Sequence, residues 1–148
     1  MVTNLLIREA EQQDEEVFFK MICELENAIL DHQNFIDVFR KNCAADNITY
    51  FIAELEGNAV GIISCHIQSL LHHAARVAEI QEMYVDPAFR SKAVGKALIA
   101  HVVHFAEGKG AIQIEVTSGN LRDDAHRFYQ REGFAKSHVK LVRYFTKK

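Results

Sequence analysis

The sequence predicts an α/β (α+β) architecture, a mixed central β-sheet with helices on both faces. Three observations predict it. Short runs with apolar residues at every second position alternate with longer segments whose apolar residues recur every three or four, and a turn signal, Gly57-Asn58, joins two of the runs. The resulting order, strand-helix-helix-strand-strand-strand-helix-strand-helix-strand, requires a mixed sheet covered by helices.

Residues 5–10, LLIREA, read as a short strand. Asp14-Glu15-Glu16 then opens a helix whose apolar positions Val17, Met21, Leu25 and Ile29 share one face, and a second, short helix follows over residues 35–39. ITYFIAELE and AVGIISCHI flank Gly57-Asn58 as a hairpin. VAEIQEMYV, residues 77–85, reads as a third long strand ended by Asp86-Pro87. Residues 94–106 carry Val94, Ala97, Leu98, Val102 and Phe105 on one helical face, and Gly108 and Gly110 stop that helix. AIQIEVT alternates as a strand should, residues 121–132 read as a helix closed by Gly133, and VKLVRYF, residues 139–145, reads as a last strand and a candidate dimer edge.

A chain of 148 residues, 49% hydrophobic and 25% charged, with one proline and no linker-like tract, is expected to form one domain over residues 1–148. A net charge of −3 provides no broad attraction for nucleic acid or an anionic membrane. Cys23, Cys43 and Cys65 are odd in number and scattered, which excludes a disulfide framework and fits a reduced cytoplasm. The N-terminal run turns acidic, against a signal peptide, and no stretch reaches the about 18 apolar residues of a membrane span.

Two motifs bear chemistry. In RSKAVGKA, residues 90–97, a tight loop passes into a helix, so the backbone N–H groups of Ser91, Lys92, Ala93, Val94, Gly95 and Lys96 and the positive end of the helix dipole converge as an anion cradle beside Arg90. The other reading is an exposed loop with solvated cations. Lys96 is followed by Ala97, not Ser or Thr, so a P-loop is excluded, and the dinucleotide fingerprint fails as well. The second motif, NLRDDAHRFYQREGF, is by itself an amphipathic helix.

Taken as a pair, in this order, they resemble the GNAT superfamily of acetyl-CoA-dependent N-acetyltransferases. Arg90 and Gly95 match its R-x-x-G-x-G/A loop, and Asn120, Tyr129 and Gly133-Phe134 match its downstream signature. The resemblance implies the GNAT fold, acetyl-CoA as cosubstrate, and a backbone at Met83, Tyr84 and Val85 that pairs with the pantetheine arm and offers an amide to the acetyl oxygen. It implies Tyr129 as the acid for the leaving thiolate and Glu79 as the base. Glu82 is the rival base; strand alternation lets only one of the two face the acceptor unless a bulge intervenes, and the resemblance implies such a bulge, splaying this strand from the next. Ala93 stands where the family has its first glycine, and negative φ at Ala93 is the unstrained expectation.

The segments ICELENAILDH, HIQSLLHH, AEIQE and DAHRFYQREGF are similar to the aminoalkylphosphonate N-acetyltransferases. This narrower likeness implies an aminophosphonate acceptor and, in some members, a divalent metal. A phosphonate needs a cationic or metal partner, which His32, His72, His73 and Arg76 offer near the candidate base, and His32, His73 and Glu82 are the candidate substrate contacts. His72 and His73 serve one site only if their segment is a loop. Other acceptors left open are an aminoglycoside, a polyamine or an amino acid derivative; from another class, the domain could be an idle acetyl-CoA sensor.

Overall fold

The structure, a computed structural model, describes residues 4–118 and 123–146. These fall into two compact units that part after Thr117. In the first unit, the short strand β1 (Leu5–Glu9) precedes helices α1 (Glu15–Glu26) and α2 (His32–Cys43). Strands β2 (Ile48–Leu55), β3 (Asn58–Leu70), β4 (Ala75–Ile80) and β5 (Met83–Val85) follow, then helix α3 (Val94–Gly108) and strand β6 (Ala111–Val116). The sheet runs β1-β2-β3-β4-β6, with β5 continuing beyond β4 against β3. The β1, β2, β3 and β4 neighbours are antiparallel and β4–β6 is parallel, so the sheet is mixed as expected.

Helix α1 ends earlier than its apolar spacing predicts. Asn27 takes the left-handed conformation (φ 53°) and closes the helix, which leaves Ile29 outside it and 91% exposed instead of in the core. Helix α2 is longer than expected because Asp31 caps it, its carboxylate accepting from the Asn34 N–H at 2.8 Å. Glu15 clamps Arg40 at 2.9 and 3.0 Å, tying the two helices together. Their buried faces lie on one side of the sheet, where Phe18, Met21 and Phe39 pack with Ile52, Ile62 and Tyr84.

The opposite side carries α3. Phe51 meets the rings of His101 and Phe105 there. A Cβ at Gly61 would come within 3.1 Å of the Tyr84 carbonyl and 3.2 Å of Leu98, so only glycine lets β3, β5 and α3 approach so closely. The β2–β3 turn is Glu56-Gly57, both at positive φ (51° and 84°), as a two-residue type I′ hairpin requires; it lies one residue before the predicted Gly57-Asn58.

The predicted third strand is broken into β4 and β5. His66 on β3 lies opposite Glu79, and Ile63 opposite Met83. Three steps on β3 thus face four on the other side, so the β4–β5 junction holds one extra residue, a bulge.

The second unit contains α4 (Asp123–Arg131), ended by Gly133 (φ 97°). The Phe134 N–H donates to the Tyr129 carbonyl and the Gly133 N–H to Gln130, a Schellman motif in which the Tyr129 and Phe134 rings also touch. Residues 139–145 form no strand, contrary to expectation. Val139, Leu141 and Phe145 are 85%, 91% and 96% exposed. Alternation and β-branched residues suit a strand, but only a hydrogen-bonded neighbour makes one, and this segment has no ladder. Among the described residues no helix is long and apolar enough to cross a membrane.

Candidate active site

The bulge controls the local chemistry. Along a regular strand, residues three apart point to opposite faces, but the extra residue reverses one alternation, so Glu79 and Glu82 both project to the α1–α2 face. Ser64, 1% exposed on β3, holds the bulge: its Oγ accepts from the Gln81 N–H at 3.1 Å and the Glu82 N–H at 2.9 Å, while its own N–H donates to the Glu82 carbonyl at 3.0 Å. These two amides have left the ladder, and the hydroxyl replaces their lost acceptors. Ser64 is not legible as a functional residue, being a lone serine inside an apolar strand whose partners lie 17 and 18 positions away and meet it only in the folded sheet.

Beyond the bulge, β5 pairs with β3 alone among the described residues. The β4–β6 ladder reaches Ile80 opposite Val116 and goes no further. Glu82 and Asp86 use their backbone groups toward β3, so by antiparallel alternation Tyr84 does too, while Met83 and Val85 direct theirs to the open edge. The Val85 carbonyl accepts from Arg90 Nε at 2.9 Å, and the Arg90 guanidinium lies 5.2 Å from the centre of the Tyr84 ring. Tyr84 reaches the other way, its hydroxyl donating to Glu24 on α1 at 2.5 Å.

Residues 90–96 lead from β5 into α3. Ala93 is the N-cap of α3, with no side-chain cap, and adopts φ +65°, left-handed and opposite to the unstrained expectation; Ser91 is also left-handed at 68°. The loop must reverse between a strand end and a helix start, and this imposes the glycine-like conformation on alanine. The amides of the first turn, at Val94, Gly95 and Lys96, are the helix's intrinsically unpaired donors, beside the side chains of Lys92 and Lys96.

A cavity of about 400 Å³ opens between α1, α2 and the sheet. Phe18 and Ile22 form one wall, Phe35, Val38 and Phe39 another, and Tyr50, Ile62 and Ser64 the floor. Glu82 lines it too, and its Oε1 is buried without a hydrogen-bond partner among the described residues. Glu79 is not in this lining; it receives a hydrogen bond from Thr117 Oγ1 at 3.4 Å and stands opposite His66, whose Nε2 is likewise buried and unpartnered among the described residues. Burial pushes the Tyr50 hydroxyl up to about 12, against a hydrogen bond from Asn42, and burial followed by Glu24 pushes Tyr84 up to about 12. Neither ionises near neutral pH. Burial raises the Cys65 thiol to about 11, and Cys65 is 1% exposed, so it is no nucleophile for a covalent intermediate.

The other sequence candidates are dispersed. His32 begins α2 at the cavity mouth, next to the lining residue Asp31, where its Nε2 pairs with Glu16 at 2.9 Å and its ring meets Phe19. His72 and His73 sit together in the β3–β4 turn, rings 4.4 Å apart, so the loop condition is met. Yet six residues separate His73 from Glu79 along the chain, on the order of 15 Å in extended β4. Arg76 turns to the Lys109 carbonyl at 2.8 Å. Among the described residues no group of three or more His, Cys, Asp or Glu comes together as a metal site requires. Tyr129 lies on α4 in the second unit, and Asn120 lies outside the described residues.

An open strand edge leads to bare helix amides, next to a carboxylate at the end of an apolar cavity, an arrangement suited to holding an extended anionic ligand beside an amine. Residues 7–134 match the model of the acetyltransferase (GNAT) family. The aminoalkylphosphonate N-acetyltransferase of Salmonella typhimurium is 39% identical over 137 residues, 93% of this chain and 89% of that protein. The aminoglycoside N(6')-acetyltransferase type 1 of Klebsiella aerogenes is 27% identical, covering 99% of each. Among solved structures, an aminoglycoside N-acetyltransferase in complex with CoA superposes with TM-score 0.86 at 21% identity, over 96% of this chain and 95% of that one. The chain belongs to the acetyltransferase (GNAT) family, whose members draw on acetyl-CoA, and it is an N-acetyltransferase.

Proposed function

We propose that the chain acetylates the primary amine of a small aminoalkylphosphonate, working as one domain over residues 1–148. The likeness to the Salmonella enzyme supports the acceptor, and the family match running across both units supports the single domain. The observation that carries the chemistry is the Glu82 carboxylate oxygen, without a partner among the described residues, at the inner end of the cavity and next in sequence to Met83 on the open edge.

An alkylammonium, with a pKa of roughly 10 like a lysine, is not nucleophilic until it loses a proton. Glu82 accepts that proton in this reading, because it faces the cavity where Glu79 does not. Glu79 and His66, opposite each other on β4 and β3, are the next polar side chains on this face beyond the bulge. The amine nitrogen then bonds to the thioester carbon, the oxygen charge is met by a backbone N–H of the Met83–Val85 edge, and the C–S bond breaks as Tyr129 supplies a proton to sulfur. The cradle, Arg90 with the amides of residues 91–96, receives the pyrophosphate, and the family resemblance adds Asn120, outside the described residues, as a cofactor contact. Those donors suit a phosphate group, being backbone N–H groups at an uncapped helix start with lysines beside them. No step here is routed through a metal.

His32 at the mouth is the side chain best placed to hydrogen-bond a phosphonate, whereas His73 in the β3–β4 turn is too far from the cavity to share it. The test is an amine panel in which 2-aminoethylphosphonate, a polyamine and an aminoglycoside are offered with acetyl-CoA, with and without chelator, and thiol release is followed. Preference for the aminophosphonate is expected, with KM rising several-fold in His32→Ala; preference for the polycations would overturn the acceptor assignment.

A further inference from the structure

We propose that the same cavity admits a second class of acceptor, primary amines carrying an apolar or aromatic body. This rests on the reading of the cavity as the acceptor site. Between its mouth, at Leu30 and Val38, and Glu82 at the inner end, the walls are mostly aliphatic and aromatic, with Phe18, Phe35 and Phe39 contributing rings and Asn34, Asn42, Tyr50 and Ser64 the uncharged polar groups. The charged side chains lining it, among the described residues, are Asp31 and Glu82, both anionic.

Such a lining favours a cationic head and an apolar body. An ammonium group at Glu82 satisfies the buried oxygen that lacks a partner among the described residues, while a dianionic head carried past the mouth meets the Glu82 carboxylate and no lining cation. Size points the same way. A volume of about 400 Å³ lies in the range of roughly 300–1,000 Å³ that holds ligands of drug size, well beyond the body of an aminophosphonate with two or three carbons. Val38 and Leu30 are 55% and 37% exposed, so apolar surface at the entrance is in water until a ligand covers it.

The experiment compares kcat/KM for a series of n-alkylamines from propyl to hexyl, for phenethylamine and for 2-aminoethylphosphonate, using the full chain with saturating acetyl-CoA. The expected result is a rise of about fourfold per added methylene until the cavity is filled, the equivalent of one buried methylene. Val38→Lys places a cation at the mouth on a half-exposed position where folding is not at risk. It should lower kcat/KM for phenethylamine at least tenfold and raise that for 2-aminoethylphosphonate. Acetylation of the aminophosphonate with no thiol release from any apolar amine would overturn the inference and leave the proposed function standing. Apolar amines turned over without regard to chain length, or untouched by Val38→Lys, would overturn it too. If acetyl-CoA binds but neither class is acetylated, both readings fall.

Discussion

Ala93 and the acidic pair mark how far single residues can be read. Alanine at a glycine position predicts ordinary φ, yet the surrounding loop imposes +65°. The left-handed conformation costs a non-glycine residue about 1–2 kcal/mol, and glycine adds about 0.4–1 kcal/mol of unfolded-state entropy, so Ala93→Gly should gain about 0.5–1 kcal/mol. For a chain of this length that is a rise in Tm of roughly 1–4 °C, measurable by thermal unfolding without ligand. A fall in Tm would mean the loop relaxes out of the left-handed region. Glu79 and Glu82 were both legible as candidate bases. Their shared face was legible only through the bulge that the family resemblance implied, because alternation by itself separates residues three apart.

At the scale of elements, the helices and the first hairpin were legible because period and turn chemistry are local. The misreadings arose where a tertiary contact decides. Ile29 keeps the helical spacing but follows a left-handed Asn27, and residues 139–145 have a strand's composition without its ladder. The β4–β5 break depends on Ser64, a residue far from it in sequence. Ser64→Ala leaves the Gln81 and Glu82 amides without their acceptor, at a cost of about 1–3 kcal/mol, and frees the carboxylate they orient. We expect kcat to fall about tenfold or more and the pH profile of kcat/KM to shift, with acetyl-CoA affinity unchanged. Lost stability with an unchanged profile would reduce Ser64 to a structural role.

At the scale of the whole molecule, the first unit is held on its β1 side by a charged cluster that the sequence showed only as a helix-opening acid. Asp14 is buried, accepts from both terminal nitrogens of Arg8 at 2.9 Å and takes the Glu11 N–H at 2.7 Å; Glu54 on β2 shares Arg8. The Arg8 hydrogen bonds hold the Asp14 carboxyl below its usual range despite burial. Its folded value is depressed, so its stabilisation is complete above the unfolded value of about 3.9 and is lost as pH falls through the folded value. Asp14→Asn should therefore cost about 2 kcal/mol at neutral pH and flatten the acid limb of urea-denaturation stability below about pH 4. An acid limb identical to that of the parent chain would contradict this.

The global architecture and the donor were legible, since strand order and the loop-helix motif lie in contiguous sequence. The acceptor was less so, because its cavity draws on α1, α2, β2, β3 and the bulge. Glu82 at the inner end of that cavity is the central claim. Its most direct test is kcat for 2-aminoethylphosphonate at saturating acetyl-CoA in Glu82→Gln and Glu79→Gln, alongside acetyl-CoA binding. A loss of about 100-fold or more in Glu82→Gln, against less than tenfold in Glu79→Gln and unchanged binding in both, is the predicted result. Full turnover in Glu82→Gln, or the larger loss in Glu79→Gln, would contradict it.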